Sequence, residues 1–198
     1  MSRATVATLP SEVSGARAVG WWGMVLLITT EATLFACLLF SYFYLAVSNP
    51  VWPLGGIQPP DLLLPGSGTV VLLSSSAPMA WAEAGIRRGQ QGRLRLGMAL
   101  SFLLGAVFLG IQAVEYSHKP FTPQTNAYGS LFFTITGFHG AHVFVGLLMS
   151  AVTQLRAWLG HFSASRFLAV QNSALYWHFV DAVWIFIFAS LYLSPHVL

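Results

Sequence analysis

Among the residues of this chain that could handle a proton or hold a metal, five stand out because they lie deep in apolar runs. His178 and Asp181 stand three apart in a nearly unbroken hydrophobic run from Ala174 to Leu193. At helical spacing they share one face, with Trp177 and Trp184 a heptad apart beside Asp181. Glu31 sits in a first apolar run, and His139 and His142 form an HxxH pair in another. A carboxyl group deep in a bilayer costs several kcal/mol unless it faces protein, water or a partner, so these helices must turn their polar residues toward one another. The chemistries open to such a set are inter-helix hydrogen bonding, proton handling by Glu31 and Asp181, and ligation by histidine. HxxH is ligand spacing without an acidic companion, and inter-helix hydrogen bonding is the reading preferred for it. His142 and His178 at similar depth would also suit the two axial positions of a haem b.

The elements that must carry these residues follow from composition. Of the 198 residues, 56% are hydrophobic and 8% charged, against roughly 25% charged in an average soluble domain. The chain therefore reads as all-α and polytopic, one membrane domain over residues 1–198. Residues 1–18 form a polar tail, and five transmembrane helices cover about 20–47, 67–86, 94–116, 128–155 and 172–194. Tyr42, Phe43 and Tyr44 at the end of the first run look like interfacial anchors. Residues 48–66 hold five prolines and form a loop. Pro78 interrupts the second span, where Ser74, Ser75 and Ser76 are available for the carbonyl it frees. Gly137, Gly140 and Gly146 offer a close-packing face on the fourth. Eight of the nine basic residues fall in the tail and the loops on one side, which puts the N-terminus in the cytoplasm and the C-terminus outside. The arginines form no stripe with exposed aromatics, so nucleic acid is not a partner. The single cysteine, Cys37, reads as a small packing residue.

Helical rise turns sequence into depth. Glu31 lies about 15 Å from Trp21, His139 about 16 Å from Tyr128 and Asp181 about 13 Å from Asn172, all near the midplane. Glu31 and Asp181 are thus level with His139, and His142 with His178. Glu115, at the outer end of its helix, reads as solvated or bonded to the loop that follows. Glu83 and Arg87 read as a helix-end ion pair. No serine nucleophile, phosphate loop or cysteine cluster appears, so no catalytic residue and no metal site is assigned.

These residues resemble, in order, the subunit III family of haem–copper oxidases, which serves cytochrome c and quinol oxidases. The match runs from Trp22-Gly23-Met24 and Glu31 through Trp52-Pro53, Leu72-Leu73-Ser74-Ser75, Gln112 and Glu115-Tyr116. It continues to Gly137-Phe138-His139-Gly140-Ala141-His142-Val143 and Tyr176-Trp177-His178-Phe179-Val180-Asp181. The resemblance implies a bacterial inner-membrane accessory subunit bound to catalytic subunits I and II in a hetero-oligomer. Haem and copper are then held by those partners, with no cofactor in this chain. It also implies bound phospholipid, support of proton uptake, and protection of the catalytic subunit during turnover. The family's intramembrane glutamate falls on Glu31 and its lipid-headgroup residues on Arg156 and His161. The long form of the family has seven spans, so two at the start have no counterpart among the five here. Glu83 and Ala84 stand where histidines are usual, and Gly68-Thr69 where asparagine-threonine is usual. An accessory subunit of a nitric oxide reductase fits the same pattern. Outside this superfamily, a haem b carrier using His142 and His178 or a small proton transporter using Glu31 and Asp181 remain as readings of the residues.

Overall fold

The computed structural model describes residues 18–197. Apart from Ala18, the tail expected over residues 1–18, with Arg3 and Arg17, lies outside the described residues. Five long helices account for most of the rest: α1 (Val19–Ser48), α2 (Leu63–Arg87), α3 (Gln91–His118), α4 (Ala127–Trp158) and α5 (Leu168–Phe188). A π turn (Ala189–Leu193) and a 3-10 turn (Ser194–His196) continue α5. Each helix reaches beyond its apolar run by a few residues, because the last turns keep their backbone bonds after the side chains become polar. α1, α3, α4 and the Leu168–His196 segment are each long and apolar enough to cross a membrane. α2, with its serines and proline, falls outside that set.

α2, α3, α4 and α5 pack as a closed bundle, and α1 lies against its outside, touching α5 and α4. Only Phe35, Tyr42 and Ala46 of α1 are buried. Close approach in the bundle depends on glycines of α3. A Cβ on Gly97 would stand 2.5 Å from the Pro78 carbonyl oxygen of α2. One on Gly105 would stand 2.4 Å from the Trp177 ring, which also rests on Gly146 of α4. The close-packing face expected on α4 is thus split: Gly146 meets the α5 indole, Gly140 faces Gln112 of α3, and only the Tyr116 hydroxyl lies near Gly137.

α2 continues through Pro78. The serines before it do not turn to the freed Ser74 carbonyl. Ser74 donates to Val71 O (2.8 Å) and Ser75 to Leu72 O (2.6 Å), while Ser76 reaches across to α5.

The two ends of the bundle differ. At one end the α2–α3 and α4–α5 connections meet: Gln91 Nε2 donates to Phe162 O (2.6 Å) and Arg95 Nε to Ala157 O (3.2 Å). Here α4 stops on Gly160, whose φ of +75° suits glycine, and His161 N returns to Arg156 O. At the other end the proline-rich loop is tied down by Asn126, which caps α4 through Gly129 N and donates to Leu54 O. Trp52 Nε1 donates there to the Tyr42 hydroxyl at 3.0 Å, so Tyr42 is fully buried and only Phe43 and Tyr44 face outward. The interfacial role expected of Tyr42 gives way to this inward contact. Cys37 is exposed on α1 rather than packed.

Candidate functional site

α4 carries its two histidines on diverging bearings. Three residues of helix turn the chain by about 300°, so His139 and His142 point about 60° apart. His142 reaches α1, with Nε2 at 3.0 Å from Glu31 Oε2. His139 points into the core instead. It is fully buried between Phe108, Phe35 and Trp184, whose ring centroid is 4.8 Å away, and neither of its nitrogens has a hydrogen-bond partner. Glu31 therefore pairs with His142, not with His139.

The hydrogen bonds fix what this pair can hold. His142 Nδ1 faces the Phe138 carbonyl at 2.7 Å, and a carbonyl only accepts, so Nδ1 carries a proton. Nε2 then either accepts from a protonated Glu31 or donates to its carboxylate. In both forms one proton is shared between the two groups and the pair is electrically neutral. That is the cheapest state for two ionisable groups in hydrocarbon. The pair is not sealed: the Glu31 side chain is 34% exposed and that of His142 15%. Both line a groove of about 360 Å³ between α1 and α4, with Met24, Leu27, Phe138 and Met149 along its walls. Tyr176 of α5 closes its floor and donates to His142 O.

Asp181 is held differently. Ser76 donates its hydroxyl proton to Asp181 Oδ2, and its oxygen lies 2.9 Å from His178 Nδ1. With Asp181 ionised and the hydroxyl proton on it, His178 Nδ1 is the donor to Ser76. The resulting chain runs His178 to Ser76 to Asp181, with Asp181 buried and its Oδ1 unpartnered. Asp181 thus meets a serine rather than His139. His178 does not line the groove that His142 lines, so the two histidines face no common space. Two indoles extend the seam: Trp177 Nε1 donates to Ser75 Oγ (2.8 Å) and Trp184 Nε1 to Thr69 Oγ1 (2.9 Å). Thr69, Ser75 and Ser76 escape a reading based on ionisable residues. The sequence signal for them was weak: Trp177 and Trp184 are a heptad apart on α5, and their acceptors Ser75 and Thr69 are six apart on α2.

At the other end of α3, Glu115 is not solvated. It pairs with Lys119 at 2.8 Å and accepts from the Tyr192 hydroxyl, the carboxylate and ammonium side chains being 7% and 10% exposed. The bond to the following loop agrees with the sequence; the burial does not. Tyr116, Thr136 and Gln112 form a further buried link between α3 and α4. Glu83 and Arg87 pair as expected, at 2.6 Å.

Of the headgroup candidates, Arg156 lies over the Phe162 ring and lines a hollow of about 180 Å³ with Arg166 and Asn172. His161 is exposed and outside that hollow. Among the described residues, no group of three or more His, Cys, Asp or Glu is placed to hold a metal.

Fold and site together define a multi-pass membrane protein of the all-α class, with a carboxylate–imidazole pair on an open helix seam. A family profile described as cytochrome c oxidase subunit III matches residues 12–195. Cytochrome c oxidase subunit 3 of Arabidopsis thaliana is 37% identical over 178 residues, covering 86% of this chain and 67% of that one. The Danio rerio protein of the same name is 38% identical, covering 86% and 68%, and that of Prototheca wickerhamii 38%, with the same coverage. The chain belongs to the cytochrome c oxidase subunit III family, and so is a subunit of a multisubunit oxidoreductase complex of the respiratory chain.

Proposed function

We propose that this chain is the non-redox accessory subunit III of a bacterial haem–copper terminal oxidase. It stabilises catalytic subunit I beside subunit II, sustains proton uptake and carries phospholipid. All five helices cross the inner membrane as a single domain, α2 included, since its 25 residues span about 37 Å. The end that bears Arg87, Arg88, Arg93, Arg95, Arg156 and Arg166 is cytoplasmic, and Lys119 marks the outside.

The observation that carries the reading is the Glu31–His142 pair in its groove. A neutral pair sharing one proton, partly open to hydrocarbon, is poorly suited to bracing a bundle. It is well suited to meeting a lipid chain or a partner surface and to holding a protonatable point at mid-membrane. Glu31 then serves the lipid or partner contact at this groove rather than passing pumped protons. Arg156 takes a lipid phosphate at the cytoplasmic surface, with His161 beside it. Haem and copper belong to the partner subunits.

Purification through a tag on this chain in mild detergent, followed by an optical spectrum and mass spectrometry, tests the assignment. Co-purification of a large haem- and copper-bearing subunit is the expected result. A solitary chain with its own Soret band would overturn it.

A further inference from the structure

Arg95 stands in the second turn of α3, where its side chain reaches the end of α4. Its Nε donates to Ala157 O at 3.2 Å, and its guanidinium carbon lies 4.9 Å from the centre of the Trp158 ring. The carbonyl and the indole fix the guanidinium plane from two sides. Its two Nη groups have no hydrogen-bond partner among the described residues, and they form the edge that grips a phosphate in bidentate fashion. The only described carboxylate at this end of the bundle, Glu83, is already paired with Arg87.

Beyond the arginine lies an apolar track. Ala99 and Phe102 follow Arg95 by four and seven residues on the same face of α3, and both are partly exposed. Leu155 and Ala151 precede Trp158 by three and seven on α4, and both are exposed. A fixed cation at the surface, a 62% exposed indole beside it and a hydrocarbon-facing seam below match a phosphate ester bearing acyl chains. Ala99 and Ala151 are the small residues of these two apolar faces, and Phe102 and Leu155 the large ones. Inorganic phosphate would use the cation alone. Arg156 is two residues from Trp158, about 200° around α4, and its hollow includes neither Arg95 nor Trp158.

We propose that Arg95 and Trp158 form a second phospholipid-headgroup site, with the lipid chains lying along the α3–α4 seam, separate from the hollow at Arg156. The proposal rests on the membrane placement argued above and not on the role of Glu31.

The test is native mass spectrometry of the intact complex, counting retained phospholipids in the parent, R95Q, R156Q, the double variant and R93Q. Arg93 is a control for charge, since it sits at the same surface over Trp81, on the α2 side. R95Q should lower occupancy of one lipid about fivefold, the effect of removing one basic group near the surface. R156Q should lower a different one and the double variant both, while R93Q retains the parent's count. Should R95Q fail to assemble, W158L keeps the Arg95–Ala157 bond and carries the same expectation. Equal counts in the parent and R95Q, or an equal loss in R93Q, would overturn the proposal. So would an added mass of phosphate ion in place of lipid after equilibration in phosphate buffer. If R156Q alone leaves the count unchanged, the headgroup role of Arg156 fails and that of Arg95 stands.

Discussion

Two carboxyl groups lie near the middle of apolar helical segments in this bundle, and their surroundings differ. Asp181 is sealed in the α2–α5 seam, tied through Ser76 to His178 and flanked by two indoles that donate to hydroxyls of α2. Glu31 lies on the loosely packed α1–α4 seam, with a titratable partner and a groove beside it. Asp181 meets its histidine only through a serine hydroxyl and is buried inside the bundle. Glu31 is left partly open and meets its histidine directly. The same residue class thus stands in two different settings, and the proposed function gives them two roles.

Mutations should separate the two seams. Trp177→Ala empties the space between Gly105 and Gly146 and removes the bond to Ser75. It should cost about 3–5 kcal/mol, the usual range for a large aromatic in a core, and deplete this chain from the purified complex. Retention at parental levels would break the assignment of the closed seam as structural. Ser76→Ala leaves Asp181 and His178 without their shared hydroxyl and should lower stability by about 1–2 kcal/mol, read as a lower thermal midpoint in detergent. An unchanged midpoint would mean that the hydrogen-bonded chain contributes nothing. Glu83→Gln, at the exposed end of the bundle, sets the floor: a few tenths of a kcal/mol, read as a midpoint shift near the limit of measurement.

The sequence and the structure diverge where angle matters more than depth. The helices follow their apolar runs closely, since each span must satisfy its own backbone. Depth along each helix offered several pairings among Glu31, His139, His142, His178 and Asp181, and Glu31 meets His142 instead of His139. Which of them meet depends on azimuth, and one helix rotation decides it. His139 and His142 differ by about 60°, enough to send one into an aromatic core and the other to α1. Ser76 was hidden for another reason. A serine in a membrane helix ordinarily bonds its own backbone, as Ser74 and Ser75 do, and nothing local marks the one that reaches across. Tyr42 misled in the same way, because an aromatic near a span end is an anchor or a packing group according to what loop folds over it. Glu115 was read only as solvated or bonded to the following loop; the lysine four residues on makes that bond, and neither the partner nor its burial was drawn from the sequence.

The central claim is that the Glu31–His142 pair serves the working complex and not the folding of this chain. Glu31→Gln keeps the shape and removes the shared proton. In the purified oxidase it should leave assembly, haem spectra and thermal midpoint as in the parent, while shortening the lifetime of the enzyme under sustained turnover and reducing retained lipid. If instead the complex fails to assemble or loses its haem signals, Glu31 is a structural group like Asp181, and the distinction drawn between the two seams is wrong.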